Sequence, residues 1–552
     1  MHRSSFSAHN RVLSNMNYIS PKKLKELDRL LIIELSKRVS KTGRKVDTLA
    51  HTIESPRELR KLTATLDKAG TFKIRCERHN WQDLDGERTT LTIARAASTD
   101  MWPMGTHYWV RDNAIIGARL LSSSNQKIAL QGKRVLLSAL TFISSVSQLK
   151  RFEGIIRSQS EAFRTEAANW PYIFAAVSNN LNAAQIEGWA HKQDAWQILA
   201  WHVLEAIEQG RISLSELSAK QRRFLGLIIP FLAQIKFWKS ENSGSWEEIP
   251  AIRSSVRAWE HRLIVKLAEL SIRRGFSFIR REFLKQRAYL DRRYAALSLL
   301  EAVTFMEGRV IKEMTSDLPH ESPQYKPSDA RYRRADGALI YLLQLDYPNF
   351  LASRIGRDSK WALQIEAQLL RAVLTLQDAS SGGIARYQND SYQRSGFFRY
   401  STVSKLQELY GAPSGDASSH FVGRGRVVPR GRKAAWTHFV WQLAAWAGER
   451  YLATRVSRYR VLHNRFFKQG LALLTGKGEV SIEQDSKGAL RVIALPPLRM
   501  PECWISDLGS KGRELIFPSP HTPLNWAVAE MSEAFRIRKA ILGATERVAL
   551  GS

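Results

Sequence analysis

Apolar residues in this chain recur at three- and four-residue spacings over long segments, the pattern of helices that bury one face. Ten segments carry it: residues 113–121, 134–147, 195–207, 218–238, 256–273, 293–305, 361–376, 434–452, 462–474 and 523–536. Turns rich in Gly, Ser, Pro and Asp separate them. No fixed repeat joins them. Strands and helices do not alternate, so residues 100–545 are predicted to form one large all-α domain. Helical hairpins closed into a ring would satisfy the pattern, and so would an open solenoid. Two shorter units precede it. Residues 1–60 form a basic extension, in which Leu24, Leu27, Leu30, Leu31 and Leu35 share one side of a helix over 21–39. Residues 61–99 form a small lead-in. There TFKIRC (71–76) and TTLTIARA (89–96) are β-like, and a polar turn around Asp83 and Gly86 predicts a hairpin.

Composition narrows the picture. Of 552 residues, 44% are hydrophobic, which is ample for a large core and excludes a mostly disordered chain. Two cysteines, Cys76 and Cys503, exclude a disulfide scaffold and a Cys-rich zinc module. The 13 His show no ligand spacing, so no metal and no cofactor are expected. The longest apolar stretch, 224–238, is broken by Pro230, Gln234 and Lys236 and is too short to span a bilayer. The N-terminus has no apolar signal core, and its basic, Ser-rich character is soon interrupted by Glu26 and Asp28, so a cytoplasmic protein is expected.

Charge is the anomaly. Lys and Arg number 83 against 52 Asp and Glu, a net +31. Such a balance attracts polyanions. Two stretches concentrate it: the aromatic-interleaved 271–294 (SIRRGFSFIRREFLKQRAYLDRRY) and the Gly-rich 423–433 (GRGRVVPRGRK). Both also read as a solvated helix face and a surface loop. No helix-turn-helix, zinc-finger, RRM or P-loop signature accompanies them, so nucleic acid is disfavoured as partner. An acidic protein or a phosphorylated glucan is the milder alternative for these patches.

The chemistry sits in turns at helix entrances. THYWVRDN (106–113) places Trp109, Arg111 and Asp112 where a helix begins. Aromatic faces stack on sugar rings, and paired Arg and Asp hold vicinal hydroxyls. GWAHKQDA (188–195) carries Trp189, Gln193 and Asp194, again before a helix. GSWEEIP (244–250) sets Glu247 and Glu248 behind Trp246. A carboxyl beside an aromatic wall and a second carboxylate has its pKa raised, as a general acid requires. GGIARYQNDSY (382–392) supplies Arg386, Tyr387, Asp390 and Tyr392, and MPECW (500–504) supplies Glu502. Each stretch alone is equally the signature of a capping Asp, a core Trp or a polar loop.

Taken in order, the five stretches resemble a known family, the glycoside hydrolases of the glucoamylase type (family fifteen), with relatives in the regulatory subunits of phosphorylase kinase. Trp109-Val-Arg111-Asp112 is similar to the family's W-x-R-D, and Trp189…Gln193-Asp194 to its W-x-x-x-Q-x-D. Trp246-Glu247-Glu248 is similar to its W-E-E. Arg386-Tyr387-x-x-Asp390-Ser391-Tyr392 is similar to R-Y-x-x-D-[TS]-Y. Pro501-Glu502 and then Thr522-Pro523-Leu524-Asn525-Trp526 are similar to its P-E and T-P-L-x-W segments. The resemblance covers about residues 100–545 and implies an (α/α)6 barrel of six inner and six outer helices. It implies inverting hydrolysis of α-glucosidic bonds from a non-reducing end, with Glu247 as acid and Glu502 as base. The same resemblance implies that Arg111, Asp112, Arg386 and Asp390 grip the terminal glucose of an α-glucan oligosaccharide. Trp109, Trp189 and Trp246 would then wall the site, Glu248 would bind a hydroxyl, and Gln193 and Asp194 would contribute further polar contacts.

The departures have consequences. Trp189 to Asp194 is one residue shorter than the family pattern, which bears on the binding role of Asp194. IPAIRSSV follows Glu248 where glucoamylases keep a Gly-Ser-Ser-Phe-like run. The WVRDN spelling leans towards the regulatory branch, so a glucan-binding protein without turnover is the alternative on the same scaffold. The presence of both Glu247 and Glu502 favours catalysis.

Overall fold

The computed structural model describes residues 53–82, 86–97, 107–158, 176–178, 194–242, 244–246, 251–327, 329, 331–388, 390, 433–484, 490–508 and 514–550. Helices dominate. Six of them form an inner ring: α2 (Val110–Leu121), α5 (Asp194–Glu208), α7 (Ser254–Ser271), α10 (Ile340–Gln344), α13 (His438–Thr454) and α15 (Asn525–Leu550). Each packs on the next, and α15 packs back on α2, so the ring closes. An outer layer follows the inner helices along the chain: α3 (Gln126–Ile143) with α4 (Val146–Arg157), α6 (Ala219–Ile235) with α8 (Ser277–Gln286), α9 (Leu299–Asp317), α11 (Tyr347–Arg354) with α12 (Ser359–Leu374), and α14 (Ser457–Ala472). The sixth outer position is taken by α1 (Pro56–Lys68), which packs on α15. The fold is the (α/α)6 barrel, and the open solenoid is excluded by the closing contact.

The sequence explains which helix lies where. The run 194–201 at the start of α5 is buried without a break, as is 438–448 in α13. A helix apolar around most of its circumference has to lie inside. By contrast, α14 buries Tyr459, His463, Phe466, Phe467, Gly470 and Leu471, a single stripe at helical spacing. Because the chain returns through the outer layer between successive inner helices, the six inner helices run the same way. Their N-terminal ends share one mouth.

Helix ends differ from the periodicity reading for local reasons. The segment 134–147 is split, because α3 ends at Ile143 and the Ser144 hydroxyl turns back to the Leu140 carbonyl at 2.6 Å. The 293–305 segment starts late. Residues 292–294 make one 3-10 turn behind Asp291, and the Ser298–Glu301 capping box opens α9. Residues 434–436, read as the start of a helix, belong to strand β5 (Lys433–Trp436), held by pairing with β8 (Cys503–Leu508), which also pairs with β9 (Glu514–Pro518). Long-range pairing overrides local propensity there.

A lead-in hairpin is present, with its second strand where expected, but residues 71–75 of the expected first strand are turn and coil and the strand begins only at Cys76. β1 (Cys76–Gln82) pairs with β2 (Arg88–Ala94) in antiparallel register Cys76↔Ala94. Residues 83–85 of the expected turn lie outside the described residues, as does the expected helix 21–39. Helix α1 runs across residue 60, where the extension was expected to end. Leu59, Leu66, Trp81 and Leu91 belong to the same core as the barrel helices. Asn113 ties the two together: its side chain accepts from the Ala94 amide at 2.7 Å and donates to the Ala94 and Trp109 carbonyls. Two further short sheets complete the structure, β3 (His107–Trp109) with β4 (Ala176–Ser178) and β6 (Val480–Gln484) with β7 (Leu490–Ala494). No described helix is long and apolar enough to cross a membrane.

Candidate active site

The mouth formed by the N-terminal ends of the inner helices gathers side chains from distant parts of the chain. Arg111, in the first turn of α2, donates to the Ser245 carbonyl at 2.8 Å and lies 3.6 Å from Asp194 and 3.4 Å from Asp112. Its guanidinium stands 5.4 Å over the Trp526 ring at the start of α15. Trp526 stacks on His438, the first residue of α13, at 4.2 Å. His438 in turn neighbours Trp246 and Trp436, with ring centroids 6.3 and 5.6 Å away. The two tryptophans lie 6.3 Å apart and form a tilted wall.

A second guanidinium completes the mouth. Arg386 makes a bidentate pair with Asp390, at 2.9 and 2.7 Å, and stands 5.2 Å over Trp436. Trp436 donates its indole N–H to Asp390 at 3.1 Å. Trp246 donates to Asp336 at 2.7 Å, and Arg333 pairs with the same carboxylate. Glu502 follows from strand pairing. Trp436 opposes Cys503, so Glu502 lies beside the step from β5 into α13, where the Thr437 amide donates to the Glu502 carbonyl. The Glu502 carboxylate is fully buried and accepts from the Ser519 hydroxyl at 3.3 Å. The Cys503 thiol is raised by burial and by the charges of Glu502 and Asp390 and lowered by Arg386, which places all three in one neighbourhood.

Burial decides the electrostatics. His438 is held well below its ordinary pKa by burial, and further by the charges of Arg111 and Arg386, so its ring is neutral at neutral pH. Neither ring nitrogen of His438 has a hydrogen-bond partner among the described residues. The same holds for both carboxylate oxygens of Asp194, which is fully buried and has only the 3.6 Å ion pair to Arg111. Buried polar groups in native proteins are nearly always satisfied. Two that are open at one mouth, between two guanidiniums and an indole wall, suit a ligand rich in hydroxyls.

Of the residues singled out in the sequence, Arg111, Asp112, Asp194, Trp246, Arg386, Asp390 and Glu502 are brought to this mouth. Trp109 is buried beneath it as the residue capping α2. Trp189, Gln193, Glu247 and Glu248 lie outside the described residues. The one-residue shortening before Asp194 does not move it away from Arg111. Sequence reasoning missed Asp336, Trp436 and His438. A signal existed for two of them, since Trp436-Thr437-His438 repeats the pattern of a Trp just before a helix. Among the described residues no cluster of His, Cys, Asp and Glu could hold a metal ion. A cavity of about 400 Å³ opens at the opposite end of the barrel, lined by Arg119, Glu205, Arg262, Glu449, Glu533 and Arg536. It contains none of the five motifs.

Comparison with known proteins adds the following. No family model matches the chain, and no curated protein matches it. Solved structures do match. A glycosidase variant in complex with glucose is 12% identical, with a TM-score of 0.44, over 87% of this chain and 98% of the other. The glucoamylase of Saccharomycopsis fibuligera is 11% identical, with a TM-score of 0.44, over 81% and 89%. The glucoamylase of Hormoconis resinae is 11% identical, with a TM-score of 0.36, over 87% and 73%. Likeness of this strength leaves the assignment of function to the side chains.

Proposed function

We propose that the protein is a cytoplasmic, metal-independent glycoside hydrolase that removes glucose from the non-reducing ends of α-glucan oligosaccharides with inversion. One observation carries this reading: Asp194 and His438, buried and open to hydrogen bonding, face the same mouth as the Arg111 and Arg386 guanidiniums and the Trp246–Trp436 wall. Indole faces take the apolar faces of a pyranose. Charged groups of both signs take its hydroxyls, in a site where burial strengthens each hydrogen bond.

Inversion needs a proton donor at the leaving oxygen and a base that activates water on the opposite face of the ring, about 6.5–9.5 Å apart. Glu502 is the base. One of its carboxylate oxygens accepts from the Ser519 hydroxyl, and the Thr437 amide anchors its backbone. Glu502 takes a proton from water as the oxygen attacks the anomeric carbon. Glu247 gives its proton to the departing glycosidic oxygen, the C–O bond breaks, and the product leaves as β-glucose. Glu248 adds negative charge beside Glu247, which favours its protonated form. Arg111, Asp112, Asp194, Arg386 and Asp390 hold the terminal ring, so the water has one face to attack.

The test is proton NMR of the protein mixed with maltotriose or maltopentaose, following the anomeric signals. Early β-glucose is expected, ahead of mutarotation. Early α-glucose would overturn inversion. No turnover, with oligosaccharide binding retained, would overturn catalysis and leave a glucan-binding protein.

A further inference from the structure

A second pocket, of about 280 Å³, is lined by none of the residues gathered at the candidate active site. It is bounded by the 3-10 turn Phe237–Lys239 after α6, the turn Arg292–Tyr294 and the second half of α9. Lys236, Lys239, Arg293, Arg309 and Lys312 line it, against only Asp291 and Glu313. Asp291 is already engaged by Arg293 at 3.1 Å. Lys239, Arg309 and Lys312 have no ion pair among the described residues, and all three are exposed. Phe305 lies near two guanidiniums at once, Arg293 at 5.4 Å and Arg309 at 5.3 Å. Like charges gathered on one ring repel, and an anion between them removes that repulsion.

The floor is aromatic and nearly dry. Trp238 and Tyr294 are 8% and 2% exposed, and both meet Phe305 edge-on, at 6.5 and 5.6 Å. The Tyr294 hydroxyl has no hydrogen-bond partner among the described residues, although the side chain is buried. It is a donor without an acceptor beneath a cationic rim. Lysine and arginine side chains make charge-assisted bonds to phosphate oxygens, and an indole or phenol face accepts a sugar ring. Part of the basic, aromatic-interleaved stretch 271–294 thus acquires a place that the barrel mouth does not give it.

We infer that this pocket binds a phosphate monoester carried on a sugar, with Lys239, Arg309 and Lys312 on the phosphate, Tyr294 donating to it, and Trp238 beside the ring. The inference does not rest on the glycosidase reading, because none of these residues belongs to the mouth.

Isothermal titration of the full chain at physiological salt tests it, with glucose 6-phosphate, inorganic phosphate and glucose as separate probes. Saturable one-to-one binding of glucose 6-phosphate is expected, tighter than either other probe. The double variant Lys239→Gln/Lys312→Gln should weaken it about tenfold or more, because two charge-assisted bonds to the phosphate are lost. Tyr294→Phe should weaken it less while the melting temperature holds. The control Arg280→Gln/Arg281→Gln removes two exposed charges from α8 outside the pocket and should leave binding within about twofold. Equal weakening in both double variants would show attraction by net charge and overturn the pocket, as would absence of saturation with both phosphate probes. Inorganic phosphate binding as tightly as the ester would overturn the sugar part.

Discussion

Glu502 and Asp194 are both fully buried carboxylates at one mouth, and their surroundings suit them to different parts of the proposed reaction. Glu502 has Ser519 at one oxygen, and its backbone is anchored on both sides, by the Thr437 amide and the His521 carbonyl. A group that must point at one water needs such fixing. Among the described residues Asp194 pairs with Arg111 alone and neither of its oxygens accepts a hydrogen bond, which suits a group that completes its bonds on ligand hydroxyls. Glu502→Gln is therefore expected to lower kcat by about 10²–10⁴, the usual worth of a general base, with oligosaccharide affinity within a few-fold. Asp194→Asn is expected to raise KM more than it lowers kcat, because it acts on bound sugar in ground and transition states alike. Steady-state kinetics on maltopentaose separates the two, and a pure kcat effect at Asp194 would refute its assignment. Much of this was legible in the chain, because a Trp beside Arg and Asp at a helix entrance leaves a local trace. His438 left one only through the Trp436 before it, and Asp336 left none. A single polar residue at the start of an apolar helix reads as a cap until the fold brings two guanidiniums or a tryptophan against it.

At the scale of elements, the helices were readable because each carries its own period, whereas the sheets paired over long sequence distances were not. Strand β5 has four residues, and what makes it a strand is β8, some seventy positions away in sequence. No local window contains that partner. Helix α8 was read only as a solvated face, because its run of Arg and Lys masks the buried side formed by Phe278, Ile279 and Phe283. Helix contacts also set demands that composition conceals. Inner helix α2 and outer helix α3 approach so closely that a Cβ on Gly132 would sit 2.3 Å from the Leu121 amide nitrogen and 2.6 Å from the Gly117 carbonyl oxygen. Both atoms are backbone and cannot rotate away. Gly132→Ala, which would stabilise an isolated helix by roughly 1 kcal/mol, is therefore expected to destabilise this protein by about 1–3 kcal/mol through overpacking. Gly154→Ala, on α4 with nothing near its Cβ position, supplies the contrast and should be neutral or stabilising. Urea midpoints of the two variants decide the matter, and equal midpoints would mean that the helices separate without penalty.

Closure of the ring gives the whole molecule two ends with different electrostatic character. At the end away from the motifs, Arg119 pairs with Glu530 at 3.1 Å and approaches Glu533 at 3.7 Å, and Glu533 is also held by Arg536 at 2.7 Å. Glu449 shares this cavity and has no ion pair among the described residues. Burial pushes its carboxyl up to about 7 from an ordinary 4.5, and the neighbouring Glu533 and Glu530 outweigh part of the pull of Arg119 and Arg536. The folded protein thus keeps a proton on Glu449 at pH values where the unfolded chain has released it. Between about pH 4.5 and 7 the unfolded state binds fewer protons, so stability falls as pH rises. The loss levels off above the folded pKa and is on the order of 3 kcal/mol. Glu321, also raised to about 7 by burial and by Asp336, adds a dependence of the same sign. Glu449→Gln keeps the neutral form at every pH. It is therefore expected to match the wild type near pH 4.5, to exceed it by up to that amount at pH 8, and to flatten the intervening slope without abolishing it. Denaturant unfolding at pH 5 and pH 8 measures both ends. A variant with the wild-type slope would mean that Glu449 is ionised in the folded protein, and that the cavity holds its charge through the arginines instead.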